Sequence, residues 1–140
     1  MGITKTTLFD GTRHFIQRVD LLATSTGAIT ATNAGNPIVD VSALAARSFG
    51  RGACRSVDLV EICGTGPNFP CRLMWDANTD VQAMILGEGQ IEQCFEKTGP
   101  LHNPMTASGA TGDVHLVASS GMAAGEAGSW TLTWRKRYPA

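Results

Sequence analysis

Oxygen-bearing side chains alternate in the segment WDANTDV, where Asp76, Asn78 and Asp80 occupy every second position. Oxygen ligands in this pattern are typical of a loop that binds a hard cation such as Ca²⁺. The pattern then departs from an EF-hand loop, because Val81 and Gly87 occupy the positions that require glycine and glutamate. Asx side chains also stabilise tight turns by bonding the nearby backbone. We therefore predict a tight turn here, with a cation site as the alternative.

Three histidines could also bind a metal or transfer protons, but no two of them lie close enough in sequence for a local metal motif. They are His14, His102 and His115. In a strand, His115 would lie on the opposite face from Val114 and Leu116. We therefore expect His115 to have a surface or interface role rather than a metal-binding or catalytic one.

Four cysteines are present, and their separations do not form a Cys-x-x-Cys zinc motif. They are Cys54, Cys63, Cys71 and Cys94. We expect reduced thiols that fill the core, with a Cys63–Cys71 disulfide as the alternative. Cys54 or Cys94 acting as a nucleophile with a distant histidine would be a further alternative, but no local signature supports it.

The glycine-rich segments CGTGPNF and LGEGQ do not predict phosphate loops, because each precedes a strand pattern rather than a helix. The sequence also lacks the Gly-x-Ser-x-Gly nucleophile motif. We therefore predict a protein that is not an enzyme and has no catalytic, cofactor-binding or metal-binding residues. We also predict that it needs no cofactor.

The run Arg135, Lys136 and Arg137 would suit phosphate binding. The formal net charge of the chain is −1, however, so no global positive field attracts nucleic acid. We predict solvated cations that end a terminal strand and protect a sheet edge from unwanted pairing. A salt bridge to a neighbouring subunit and nucleic-acid binding are the alternatives, and we expect no nucleic-acid partner.

The length of 140 residues suits one domain. Charged residues make up only 16% of the chain, against about 25% in typical domains. A surface with so few charges favours a subunit that neighbours cover in an assembly. No apolar stretch approaches the roughly 18–20 residues that would span a bilayer, and no secretory signal is recognisable at the start. We therefore expect no membrane partner.

Short apolar runs between turns predict an all-β protein, specifically an antiparallel β-sandwich that is jelly-roll-like or barrel-like. We expect about seven to nine short strands and at most one short helical turn. The predicted strands span residues 13–22, 38–44, 54–63, 69–76, 81–86, 91–96, 113–119 and 130–137. Residues 1–12 are predicted to form an N-terminal arm, with a first edge strand as the alternative, and residues 13–140 a single domain.

Several local features follow from these patterns. Residues 81–86 and 91–96 flank a glycine-rich turn and predict a hairpin. Residues 113–119 and 130–137 predict a terminal hairpin with a long loop. Ser42 is expected to cap a helical turn that ends at Gly50. The apolar residues of strand 54–63 change phase between Leu59 and Val60, which predicts a bulge or burial on both faces.

The segments LMWDANTDVQAMIL, GEGQIEQCFE, GATGDVHLVAS and WTLTWRKR occur in this order along the chain. Over roughly residues 54–137 they resemble small proteins encoded among the virion genes of tailed bacteriophages. The shared motifs are structural rather than catalytic. The four cysteines and the CGTGPNFPC loop are not part of the shared pattern. The resemblance implies a virion structural protein.

Within that class, the composition favours a capsid decoration (cement) protein that stabilises the head. Its partners would be the major capsid protein and copies of itself, and its location the capsid surface after synthesis in the host cytoplasm. A head–tail connector or tail protein is one alternative. A carbohydrate-binding surface module is another, in which Trp75, Trp130 and Trp134 would stack on sugars. Because Trp130 and Trp134 share the inward face of their strand with Leu132, we expect them to pack in the core.

Overall fold

The computed structural model describes residues 2–22, 37–45, 52–68, 70–118 and 125–139. Within these ranges nearly all regular structure is strand, and the helical element is a 3-10 turn at Val41–Ala43. The strands, in chain order, are β1 (Gly2–Asp10), β2 (His14–Leu22), β3 (Ser56–Gly66), β4 (Cys71–Trp75), β5 (Val81–Leu86), β6 (Gly89–Cys94), β7 (Val114–Ala118) and β8 (Ala127–Arg137). The predicted all-β class, strand number and single short helical turn are confirmed.

The strands form two antiparallel sheets that pack in a sandwich-like arrangement. The large sheet has the order β1-β2-β8-β3-β6, and the small sheet has the order β5-β4-β7. Trp75 of the small sheet and Trp134 of the large sheet meet edge to face, with ring centroids 6.1 Å apart. Such a pair adds about 0.5–1.5 kcal/mol beyond the burial of its area, so it helps to hold the two sheets together.

β8 supplies the centre of the core. Trp130, Leu132 and Trp134 are at most 1% exposed, whereas Thr131 and Thr133 between them are half-buried. This alternation confirms the predicted inward face of the strand. It follows from the period of two in β-structure, which places every second side chain on the same face.

A buried polar side chain joins β2 to its surroundings. Gln17 lies on the inward face of β2 and is 1% exposed. Its amide nitrogen donates to the carbonyl of Ile38 at 2.9 Å, and its oxygen accepts from the indole nitrogen of Trp134 at 2.8 Å. Because both ends of the amide are bonded, this burial avoids the cost of an unpaired polar group.

β3 contains the predicted bulge. Leu59 pairs with Trp134 and Glu61 pairs with Thr133, so Val60 is the extra residue in the ladder with β8. Residues 56–60 are also all buried. The backbone groups of Leu59 bond in both directions with Leu101, which covers the strand on its other edge. The phase shift in the sequence therefore reflects a real irregularity of the strand.

The predicted hairpin of residues 81–86 and 91–96 is wrong, although both segments are strands. β5 pairs with β4 in the small sheet, whereas β6 pairs with β3 in the large sheet. The short connection between them crosses from one sheet to the other and passes over Gly66, where a Cβ would collide with the carbonyl oxygen of Gly87. The glycine at position 66 makes this close crossing possible.

The predicted terminal hairpin is also wrong. β7 pairs with β4, whereas β8 lies between β2 and β3 in the large sheet. The segment 38–44 is not a strand either, since it contains one isolated bridge from Val39 to Val114, followed by the 3-10 turn. Asp40 caps that turn in place of Ser42, because its carboxylate accepts from the Ser42 amide at 3.0 Å. The predicted end at Gly50 lies outside the described residues.

Within the predicted N-terminal arm, Gly2–Asp10 forms β1, one of the two edge strands of the large sheet. It pairs with β2 along its whole length, with a register shift between Thr7 and Phe9. Residues 2–10 therefore form the first edge strand, which was the alternative to an N-terminal arm. The division of the chain into an arm and one domain stays a prediction.

Candidate functional site

A cluster of two carboxylates and one imidazole lies beside the small sheet, and we call it the Asp76–His115 cluster: Asp76, Asp80 and His115. One ligand atom from each residue can be chosen so that all three lie within 4.8 Å of one another. His115 is 3% exposed, so its predicted surface position is wrong. Of the sequence candidates, the cluster brings together two residues of the alternating Asx pattern and one histidine.

The main chain brings these residues together. His115 of β7 pairs with Met74 of β4, and the turn that follows β4 begins at Asp76. Because Val114 and Leu116 belong to the core, His115 between them points to the outer face of the small sheet. The turn at residues 76–80 borders the ring there.

The turn is itself held in place by the loop before β7. The amide of Asp76 donates to the carbonyl of Asp113 at 3.0 Å, and the amide of Asn78 donates to the carbonyl of Ser108 at 2.9 Å. The Asn78 side chain also donates to the Ser108 hydroxyl. Asn78 therefore ties this turn to the loop before β7 and is not one of the clustered ligands.

Each carboxylate uses one oxygen for local structure and directs the other towards the imidazole. Asp76 accepts a short hydrogen bond from the Thr111 hydroxyl with Oδ2, and its Oδ1 lies 3.5 Å from Nε2 of His115. Asp80 accepts from the Ala77 amide with Oδ1, and its Oδ2 lies 3.3 Å from Nδ1 of His115. The ring is thus flanked by two carboxylate oxygens.

A third carboxylate adds to the negative charge near the cluster. Asp113 is half-buried, and its Oδ1 accepts from the Val41 amide at 2.9 Å. Burial raises the pKa of Asp113, and the negative charges of Asp40 and Asp76 raise it further, against the opposing effects of the Val41 hydrogen bond and of His115. The local field therefore favours a positive charge at this end of the small sheet.

A second polar cluster, which we call the Asp58 network, surrounds the fully buried carboxylate of Asp58. Arg137 makes a short charged hydrogen bond to it, and Nδ1 of His102 lies 3.1 Å away. The backbone amide of Asn103 donates to it at 3.1 Å. Arg135 lies 3.8 Å from the same carboxylate. Both oxygens of Asp58 therefore have partners.

The cations at the end of β8 are consequently not the edge protection that the sequence predicted. β8 is a central strand, and Arg135 and Arg137 face Asp58. Lys136 is 6% exposed, and its ammonium donates to the Asp10 carboxylate and to the carbonyl of Ala45. All three cations therefore have partners within the chain, and the sequence missed these partners because they are distant along it.

Beside the Asp58 network lies an open groove of about 870 Å³. Its cationic and imidazole side chains come from four separate segments: Arg13, Arg55, His102, Arg135, Lys136 and Arg137. Because Asp58 and Asp10 neutralise part of this charge, the groove is less positive than its composition suggests. The expectation of no nucleic-acid partner stays a prediction.

Large apolar side chains are exposed on both sheets. Leu8 and Phe9 lie side by side at the bulge of β1 and are 52% and 54% exposed, and Leu22 at the end of the neighbouring β2 is 49% exposed. Ile85 on β5, an edge strand of the small sheet, is 54% exposed. The sequence shows Leu8 and Phe9 as isolated apolar residues in a polar segment, which is the signal by which they could have been singled out.

The tryptophans and two of the cysteines belong to the interior. Trp75, Trp130 and Trp134 are at most 3% exposed, so none presents a ring face to a sugar. Burial raises the pKa of Cys71 to about 12 and also raises the pKa of Cys54, so both remain protonated thiols at neutral pH. All four cysteines are free. Cys54 therefore lacks the lowered pKa of a nucleophilic cysteine, and the Cys63–Cys71 disulfide is absent from the structure.

No family model, curated protein or solved structure matches this chain. The resemblance to virion proteins therefore stays a prediction. Within the described part of the chain, no helix has the length and apolar character needed to cross a membrane.

Proposed function

We propose that the protein is a structural subunit of a tailed-bacteriophage virion, and within that class a capsid decoration protein that binds the lattice of the major capsid protein. The observation that carries this proposal is the exposed apolar pair Leu8 and Phe9 on an edge strand. The sequence resemblance and the low content of charged residues support the same class.

The edge of β1 has the properties of a docking strand. An edge strand presents unpaired backbone N–H and C=O groups, and proteins usually protect such an edge with charges or a covering segment. The lysine of this strand, Lys5, instead donates to the carbonyl of Pro37 at 2.7 Å. Leu8 and Phe9 add exposed apolar area beside this edge, which suits strand addition by a second chain.

The function would be mechanical. Each subunit would bury its β1 edge against neighbouring capsid proteins, and specific interfaces of this kind bury about 1,200–2,000 Å² in total. Opening the shell would then require the loss of these contacts, and many copies would add avidity. Copies of the protein would contact one another around the same lattice positions.

The copy number in purified virions tests this proposal. Quantitative mass spectrometry should give hundreds of copies per particle, because a decoration protein follows the capsid lattice. A single ring of copies would instead indicate the connector or tail alternative. Absence of the protein from purified virions would contradict the whole class.

A binding experiment tests the role of the β1 edge. Leu8→Asp should weaken binding to capsids assembled without this protein by at least about tenfold, because a buried apolar contact would be replaced by a charge. Ile85→Asp is the matched control, since Ile85 is equally exposed but lies on the other sheet. Equal binding by both variants would show that β1 is not the docking edge.

A further inference from the structure

We propose that Asp76, Asp80 and His115 bind one divalent transition-metal ion of the Zn²⁺ class on the outer face of the small sheet. The inference departs from the sequence prediction of no metal-binding residue, and it is independent of the proposed virion role. It depends on the spacing of the ligand atoms, on the state of the His115 ring and on the types of the donor atoms.

The spacing of the ligand atoms suits a small metal ion. Nε2 of His115 and Oδ1 of Asp76 are 3.5 Å apart, and one ligand atom from each of the three residues can be chosen so that all lie within 4.8 Å of one another. A tetrahedral ion with bonds of about 2.0–2.1 Å separates its ligand atoms by about 3.3–3.4 Å. Asp76 and Nε2 of His115 therefore need only small movements to bind one ion, whereas the Asp80 carboxylate, which faces Nδ1, must turn towards it.

An imidazole nitrogen that points into the cluster has no hydrogen-bond partner among the described residues. Nε2 of His115 is buried and has no hydrogen-bond partner among the described residues, and the side chain is 3% exposed. The 3.5 Å contact with Asp76 falls within an ion-pair distance but does not have hydrogen-bond geometry. A buried nitrogen without a partner is costly, and coordination of its lone pair to a metal removes that cost.

A histidine that binds metal through one nitrogen usually has its other nitrogen held by a carboxylate or a carbonyl. Here Nδ1 lies 3.3 Å from Oδ2 of Asp80. In this position Asp80 orients the ring, and it joins the ion only when its carboxylate turns away from Nδ1. In both positions its negative charge favours binding. Its side chain is 31% exposed, which gives the ion a path from solvent.

The donor set selects the kind of ion. Ca²⁺ and Mg²⁺ prefer sites made entirely of oxygen, whereas an imidazole nitrogen favours Zn²⁺ and neighbouring transition metals. Asp76 and Asp80 provide two negative charges, and Asp113 contributes a third carboxylate nearby. A divalent cation would balance this charge, and water would fill its remaining coordination positions.

Titration of the full chain with ZnCl₂ tests the site after dialysis against EDTA. The experiment uses a Cys94→Ser background, because Cys94 is an exposed thiol that could bind zinc by itself. Isothermal titration calorimetry should show one Zn²⁺ per chain, and MgCl₂ should give no comparable heat. Free Zn²⁺ at about 100 times the dissociation constant should raise Tm by about 8 °C.

His115→Gln should weaken Zn²⁺ binding by at least about 100-fold, because it removes a ligand. Asp80→Asn should weaken it by at least about 10-fold, which is the effect usual for a residue that orients a ligand. His102→Gln is the matched control, because His102 is an exposed imidazole beside a carboxylate, and it should change the affinity less than about twofold. Asp80→Asn can still accept the hydrogen bond from the Ala77 backbone amide. Its Zn²⁺ affinity therefore tests the site even if His115→Gln does not fold.

Two results would overturn the proposal. One is a wild-type protein that binds no Zn²⁺, which would leave His115 as an ion-pair partner of its two carboxylates. The other is equal binding by the wild type and both cluster variants, which would place the ion elsewhere.

Discussion

The Asp58 network and the Asp76–His115 cluster both bury an ionisable side chain among groups of complementary charge, but they differ in how completely those groups are paired. Asp58 is fully buried, and it receives a backbone amide, a charged hydrogen bond from Arg137 and a contact from His102. His115 is equally enclosed, yet its Nε2 has no hydrogen-bond partner among the described residues. A complete set of partners stabilises the fold, whereas an incomplete set leaves an atom that can bind a ligand.

The largest expected effect is the loss of the Asp58 carboxylate. Asp58→Ala leaves the Asn103 amide buried without its acceptor and removes the partner of Arg137. We expect a destabilisation of about 3 kcal/mol, because Arg137 is half-exposed and can recover hydration while the buried amide cannot. Urea denaturation measures the free energy of unfolding.

Asp20→Ala is the control for that measurement. Asp20 also pairs with an arginine, Arg18, but on the exposed surface, so its loss should cost less than about 1 kcal/mol. Equal costs for the two alanine variants would show that the Asp58 network is not a structural centre.

Loss of the His115 imidazole from the Asp76–His115 cluster should have a smaller effect on the free energy of unfolding. In the metal-free protein, His115→Gln should change the free energy of unfolding by about 1 kcal/mol, because Nε2 makes no hydrogen bond and the substitution removes only the Nδ1 contact with the partly exposed Asp80. Urea denaturation in EDTA measures this value. A cost as large as that of Asp58→Ala would show that His115, despite its incomplete pairing, contributes as much to stability as Asp58 does.

The smallest effect concerns the pH dependence of stability near the Asp76–His115 cluster. The raised pKa of Asp113 means that the folded state holds the proton more tightly than the unfolded state, whose pKa is near 3.8. Its stabilising contribution is therefore fully present below pH 3.8 and is lost as the pH rises through the folded-state pKa. Asp113→Asn removes this titration and can retain the acceptor for the Val41 amide.

The stability of Asp113→Asn relative to the wild type should therefore improve as the pH rises from about 3 to 6 in metal-free buffer. Denaturation at several pH values gives the difference in the free energy of unfolding. A difference that stays constant, or that moves in favour of the wild type, would contradict the raised pKa of Asp113 that its burial and the nearby charges of Asp40 and Asp76 produce.

The sequence predicted those parts of the fold that depend on local patterns. The alternation of Trp130, Leu132 and Trp134 gave the inward face of β8, and the phase shift at Val60 gave the bulge of β3. The pairing of strands was not predictable in this way. β5 and β6 look like a hairpin because they are adjacent in sequence, but their partners are chosen by packing between distant segments.

The same limit applies to the candidate site. The alternating Asx pattern drew attention to Asp76 and Asp80, but the third member, His115, depends on the pairing of β4 with β7. Strand period placed His115 correctly on the face opposite Val114 and Leu116. It did not show that the turn at residues 76–80 borders that face, so an outward-facing histidine was wrongly expected to lie at the surface.

The position of β8 in the large sheet also determines the order in which the fold can form. β2 and β3 are both synthesised before β8, yet each pairs with β8 on one of its two edges. Until β8 inserts between them, two strand edges remain open at the middle of the sheet. Contacts between segments so distant in sequence slow folding and expose partly folded chains to aggregation. We therefore expect the large sheet to close late, as the rate-limiting event after this strand has left the ribosome.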